Sequence, residues 1–259
     1  MNSRMNPYLF VPDVKRFRRR IRGLEGTAAR LWKSIQAPSE GGRLYSPALY
    51  NSAFAYLATG RESYARTALA EIQRTMEFYR AGEISIDVHF HTWCNSAPMA
   101  RAAIMLDWIA DASCVTESAF SEIREQMLDY TFKHPYSIAK SRLRTFDNQI
   151  SSMAFCCATV GYLFGVKRGR DLRAQRMLDA GLMRFPDIFG LTPRGGYSYE
   201  GSTYFCQIVA PVVTWFCALA EEITGEDYFQ RAFPPTGCSP AEILQTYRKI
   251  ISPSGLMPP

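Results

Sequence analysis

At 259 residues with 47 % hydrophobic and 21 % charged side chains, the chain carries enough apolar material to bury a large core, which excludes a disordered polypeptide. A net charge of +6 and a pI near 9.0 favour anionic partners, whether nucleic acid, anionic lipid or an acidic polysaccharide, without choosing among them. The longest apolar runs, such as Ile208 to Ala220, are interrupted by Pro211 and Thr214 and fall short of the roughly 20 residues that cross a bilayer, so no membrane span is expected.

Residues 1–40 read as an N-terminal helical arm. Its cationic run, Arg16, Arg18, Arg19, Arg20 and Arg22, has no apolar stretch behind it, so it reads as a solvated helix face and not as a secretory leader. No zinc-finger, RNP-like or helix-turn-helix signature accompanies the positive charge, and nucleic acid is not the expected partner. From residue 41 onward one grammar repeats. An apolar, small-residue helix runs over 47–57, is broken at Thr59-Gly60, and is answered by a more charged helix over 64–78. The same pairing is predicted for 97–110 with 117–132, for 150–164 with 172–185, and for 205–223 with 228–233. Two junctions agree in letters as well as in pattern, Ala58-Thr-Gly-Arg-Glu-Ser-Tyr64 and Ile223-Thr-Gly-Glu-Asp-Tyr228, with glycine as the helix stop.

Junctions near Gly60, Asp111, Gly165 and Gly225 recur at roughly 50 to 60 residues, which suits long paired helices. Period-2 strand patterns are scarce, so the expected class is all-α. Buried helices alternating with amphipathic ones fit a double-ring (α/α) toroid, and a plain α-solenoid fits the periodicity almost as well. In a toroid the loops entering the inner helices converge at one end of the axis. Those segments hold the unusual residues of this chain: His89 to Asn95, Arg142 to Gln149, and Arg194 to Tyr204.

The seven cysteines form an odd set without CxxC spacing and fall within apolar patterns, so they read as small core residues rather than nucleophiles or metal ligands. His89 and His91 bring two imidazoles near each other, but two ligands without evident partners do not make a metal site. No metal and no cofactor are expected.

Several motifs carry a resemblance when taken in order. They are Asn6-Pro-Tyr-Leu-Phe10, Tyr56-Leu-Ala-Thr-Gly60, Asp147-Asn-Gln149, Tyr199-Glu-Gly-Ser-Thr-Tyr204 and Ile251-Ser-Pro-Ser-Gly-Leu-Met257. Together they resemble the toroid domain of the heparinase II/III-like polysaccharide lyases. The resemblance implies a toroid over residues 41–259 that ends before the family's C-terminal β-rich domain, and a periplasmic or secreted location. The many thiols lean instead towards a reducing compartment, which keeps the cytoplasm as the alternative. Gln149 stands where alginate-cleaving relatives place a histidine, so the pattern is closer to the heparinase III-like subset.

The implied reaction is β-elimination at a uronic acid of an acidic polysaccharide, heparan sulfate-like or alginate-like. Removing the C5 proton builds negative charge on the adjacent carboxylate, and fixed hydrogen-bond donors stabilise that charge without reorganising. The resemblance gives this role to Asn148, with Gln149 beside it. It makes Tyr204 the base, which then returns a proton to the leaving oxygen. A phenol with a reference pKa near 10 needs positive surroundings for that work, and Arg142, Arg144 and Arg194 are the candidates. The arginines also suit uronate or sulfate recognition, and solvated side chains are the other reading. His89, His91, Trp93 and Tyr199 are candidate sugar contacts. Glu200 joins the candidate binding set, although it reads more simply as a first-turn carboxylate than as a general acid. Two other functions stay open on the same residues: a non-catalytic glycan-binding toroid, and a glycoside hydrolase using Asp147 and Glu200.

Overall fold

A computed structural model describes residues 8–36, 51–82, 88–140, 148–189 and 210–250. The described residues are predominantly helical, with no β-strand among them beyond two isolated bridges, Tyr8 with Val11 and Phe233 with Cys238. The chain is all-α. It divides into two compact units, one within Met1–His91 and Pro98–Tyr130, the other within Thr92–Ala97 and Thr131–Pro259.

In the first unit, the chain opens with α1 (Val14–Arg22) and α2 (Gly26–Gln36). Asp13 opens α1 by accepting a hydrogen bond from the Arg16 amide. Both helices pack on α3 (Asn51–Thr59), where the Phe54 ring meets Phe17 edge-on at 5.4 Å and Trp32 at 6.0 Å. Arg18 donates from Nε to the Leu57 carbonyl at 2.9 Å, placing a cation at the negative end of α3. Gly60, at φ 74°, then stops the helix and gives its amide to the Tyr56 carbonyl.

The chain returns along α4 (Glu62–Gly82), then continues as α5 (Val88–Ile109) and α6 (Glu117–Lys133). Tyr79 of α4 stacks on Tyr130 of α6 with ring centroids 4.7 Å apart. The turn before α1, closed by the Val11 amide on the Tyr8 carbonyl, is clamped onto α5. The Leu9 amide donates to the buried Asp107 carboxylate at 2.6 Å, and Trp108 Nε1 donates to the Leu9 carbonyl at 2.9 Å. A buried carboxylate and a buried indole each find a partner in the backbone of Leu9.

The second unit is built on α8 (Asn148–Tyr162), which runs on into a π-helical turn, Leu163–Lys167. Its sequence is apolar on every side, and Ile150 to Leu163 is buried without interruption. The stretch Ile150–Lys167 is long and apolar enough to cross a bilayer, yet 89 % of it is buried inside the protein, as for a core helix. Around α8 lie α7 (Pro135–Ala139), α9 (Leu172–Leu182) and α11 (Ala210–Thr224), with α10 (Phe185–Phe189) following α9 and α12 (Pro240–Ile250) packing on α11.

The approach of α9 to α8 is set by glycine. A β-carbon at Gly161 would stand 2.5 Å from the Leu178 amide nitrogen and 2.6 Å from the Ala174 carbonyl. One at Gly181 would stand 2.6 Å from the Ala154 carbonyl and 2.7 Å from the Ala158 nitrogen. Only hydrogen fits between these backbones.

Two sequence expectations change here. The return helix predicted over 228–233 is a turn, and helix resumes only at Pro240. Pro234-Pro235 removes two amide donors and disfavours helical backbone at Phe233. Asp227 accepts instead from the Phe229 and Gln230 amides, while the Phe233 ring is buried against Phe189, with centroids 5.5 Å apart. Gly165, expected to end its helix as Gly60 does, lies inside the π-helical turn without positive φ, close against Ala174 and Gln175. Gly225 does behave as predicted, with φ 77° and its amide on the Glu221 carbonyl.

Candidate functional site

Asn148 and Gln149 are the first two residues of α8, as the sequence required of a helix start. They sit at the end of the most deeply buried helix of their unit, so their backbone is held by the core rather than by a loop. Their side chains lie outside the described residues. The same holds for Arg142, Arg144, Arg194, Tyr199, Glu200 and Tyr204 in full. His89, His91 and Trp93 were placed on an entrance loop. The backbone there is helical, within the first two turns of α5, because the apolar run that follows nucleates a helix beginning at Val88. Their side chains likewise lie outside the described residues.

A buried charge of the second unit stands outside the predicted set. Arg184, between α9 and α10, is 2 % exposed. Its Nε donates to the carbonyl of Ala139, the last residue of α7, at 2.8 Å. Its Nη1 reaches the Asp187 carboxylate in α10 at 2.5 Å. Nη2 is buried with no hydrogen-bond partner among the described residues. One guanidinium therefore ties the end of α7 to the start of α10. The segment leaving α7 leads to Asn148, and the segment leaving α10 leads to Tyr199 and Tyr204. A buried cation is costly unless paired, and this one is spent on fixing two chain directions. The available signal was an arginine set among Met183, Phe185 and Phe189, where an amphipathic pattern called for an apolar residue.

No protein-family model matches the chain, and no curated protein matches it.

Among the described residues of the second unit, a local charge cluster opens α9. Asp171 caps α9, accepting from the amides of Arg173 and Ala174 and pairing with the Arg173 guanidinium at 2.8 Å. The Arg173 side chain, aided by these amides, holds the Asp171 carboxyl below its usual value of 3.8 against the opposing effect of burial. Cys156, Cys157, Cys217 and Cys238 are buried thiols outside any disulfide, as core cysteines should be, and burial pushes the Cys157 and Cys217 thiols well up. Among the described residues no cluster of His, Cys, Asp or Glu has the makings of a metal site.

In the first unit, a cavity of about 120 Å³ lies between Met76, Tyr79, Met99 and Tyr130, with Arg80 and Asp129 at its rim. It is well below the roughly 300–1,000 Å³ typical of ligand pockets.

Proposed function

We propose that the protein is a polysaccharide lyase that cleaves a uronic-acid-containing acidic polysaccharide by β-elimination, on an incomplete (α/α) toroid of helical hairpins. Asn148 and Gln149 hold the uronate carboxylate, Tyr204 takes the C5 proton and returns one to the leaving oxygen, and Arg142, Arg144 and Arg194 supply the positive field. The reading rests on the ordered resemblance of five sequence motifs to heparinase II/III-like lyases. The observation that carries it furthest is the position of Asn148 at the head of a buried helix. An amide that must meet developing charge without reorganising needs a rigid mount, and α8 provides one.

The deciding assay is product chemistry on heparan sulfate, hyaluronan, chondroitin and alginate. A lyase yields an unsaturated, ultraviolet-absorbing end, whereas a hydrolase yields a saturated sugar. Tyr204→Phe should abolish the unsaturated product while polymer binding persists, and Asn148→Ala should lower turnover by about 10²-fold or more, as for loss of one oxyanion donor. Saturated product, or unchanged turnover in Tyr204→Phe, refutes the proposal.

A further inference from the structure

Helix α1 reads VKRFRRRIR, with six basic residues, Lys15, Arg16, Arg18, Arg19, Arg20 and Arg22, and no acidic one. At about 100° per residue these side chains separate cleanly from the apolar ones. Val14, Phe17 and Ile21 fall on one side and are half-buried where α1 packs on α3. Arg18 is engaged with the Leu57 carbonyl. Lys15, Arg16, Arg19, Arg20 and Arg22 occupy the opposite arc, and all five are exposed. None of the five side chains makes an ion pair or hydrogen bond with a described residue, although ion pairs form elsewhere in the protein.

Holding five like charges on a short helix is unfavourable in itself. From Lys15 to Arg22 the row extends about 10 Å at ~1.5 Å per residue. The Asp13 cap and the Phe17–Phe54 contact hold its carrier helix in place before any partner arrives.

We infer that this face of α1 is a docking surface for an acidic polysaccharide chain, separate from the residues that would carry out cleavage. The inference rests on the lyase reading for its choice of polymer. The surface itself narrows that choice. Insertion into a bilayer needs an outward apolar face, and the apolar face of α1 is committed to α3. Single-stranded nucleic acid is held by aromatic platforms, and the exposed arc presents none, whereas duplex phosphates and guanine edges are also met by arginine, so the DNA arm of the test separates the two polyanions. Guanidinium forks match carboxylate and sulfate groups bidentately, and a repeating polyanion offers such groups in series. A polymer held there at one point has its remaining length concentrated around the rest of the protein, which raises the effective concentration of cleavable units.

The test measures binding of the full chain to heparan sulfate across a salt series, beside duplex DNA and phosphatidylserine vesicles. Wild type should lose about 10²-fold in affinity between 50 and 200 mM salt if five cations are neutralised. Arg16→Gln/Arg19→Gln/Arg20→Gln should flatten the log–log salt slope by about 2 and weaken binding by ten-fold or more. Arg61→Gln/Arg66→Gln/Arg74→Gln, which removes equal charge from exposed positions in and just before α4, should leave binding within two-fold. Unchanged thermal unfolding of both triple variants shows that they are folded, and replacing the three α1 arginines by lysine should restore most of the salt slope.

Equal losses in the two triple variants would reduce the surface to net charge and overturn the inference. Tighter α1-dependent binding of DNA or of vesicles than of polysaccharide would overturn the partner. Cleavage of a tetrasaccharide should be unaffected by the α1 triple variant. If no polymer yields unsaturated product but α1-dependent heparan sulfate binding remains, the lyase reading fails and the docking surface stands. If the α1 variant binds as wild type, the docking surface fails whatever Tyr204→Phe shows.

Discussion

Replacing Gly161 or Gly181 by alanine tests the packing on which the second unit depends. An alanine β-carbon at Gly161 would meet the Leu178 nitrogen at 2.5 Å, so α9 must retreat by about 0.9 Å to reach an ordinary 3.4 Å contact. The obstructing atoms are backbone and cannot rotate away. Overpacking typically costs 1–3 kcal/mol, and a backbone obstruction puts both sites near the upper end, about 3 kcal/mol. Alanine returns about 1 kcal/mol through its better helix propensity. Each variant should therefore lose about 2 kcal/mol. The double variant should lose less than the sum, because one separation of α8 from α9 makes room at both points. The assay is urea unfolding followed by circular dichroism, with Gly23→Ala as control. Gly23 has φ −94°, and its nearest neighbour to a β-carbon is 3.7 Å away, so it should change stability by less than about 0.5 kcal/mol. A neutral or stabilised Gly161→Ala would refute the close crossing, since propensity alone would then be acting.

Two further outcomes are expected. Asp171 has a folded pKa held below its usual 3.8, so its contribution is complete above about pH 4 and is lost as pH falls through the folded value. Asp171→Ala should cost about 1 kcal/mol at pH 7, and the gap from wild type should close on acidification below pH 4; a gap independent of pH would contradict the cap. Among the described cysteines, Cys114 is only partly buried, and burial and the nearby Glu62 raise its thiol pKa. Iodoacetamide at pH 8 followed by peptide mapping should modify Cys114 slowly and before Cys156, Cys157, Cys217 and Cys238, which should react only after denaturation. Early labelling of Cys157 would mean that α8 is not buried as described.

Helices were legible wherever local pattern and core burial agree. The apolar run from Ile150 could only be buried, and the Thr-Gly junctions fixed two helix ends through a φ that glycine adopts freely. Legibility failed where a long-range contact decides. Residues 228–233 have a helix-compatible composition, but Phe233 gains more by turning into Phe189 and Tyr228 than by continuing a helix that Pro234 would end. Gly165 looked like a stop because it falls at the recurring junction spacing, just after the apolar run. It serves instead to admit Ala174, a residue whose proximity is a property of the folded chain. Of the candidate site, the head of α8 at Asn148 was legible from the polar-to-apolar switch at that point. Arg184 was not, because the carbonyl it needs belongs to Ala139, forty-five positions earlier.

The twin corners at Thr59-Gly60 and Thr224-Gly225 share more than letters. In each, the threonine hydroxyl bonds back to a carbonyl four residues earlier and accepts from the amide two residues later. Yet one corner releases the chain into α4 within two residues, while the other releases it into a turn, and helix returns only at Pro240. Such a corner is punctuation that closes a clause without dictating the next one. The downstream sequence, not the corner, decides whether a helix follows.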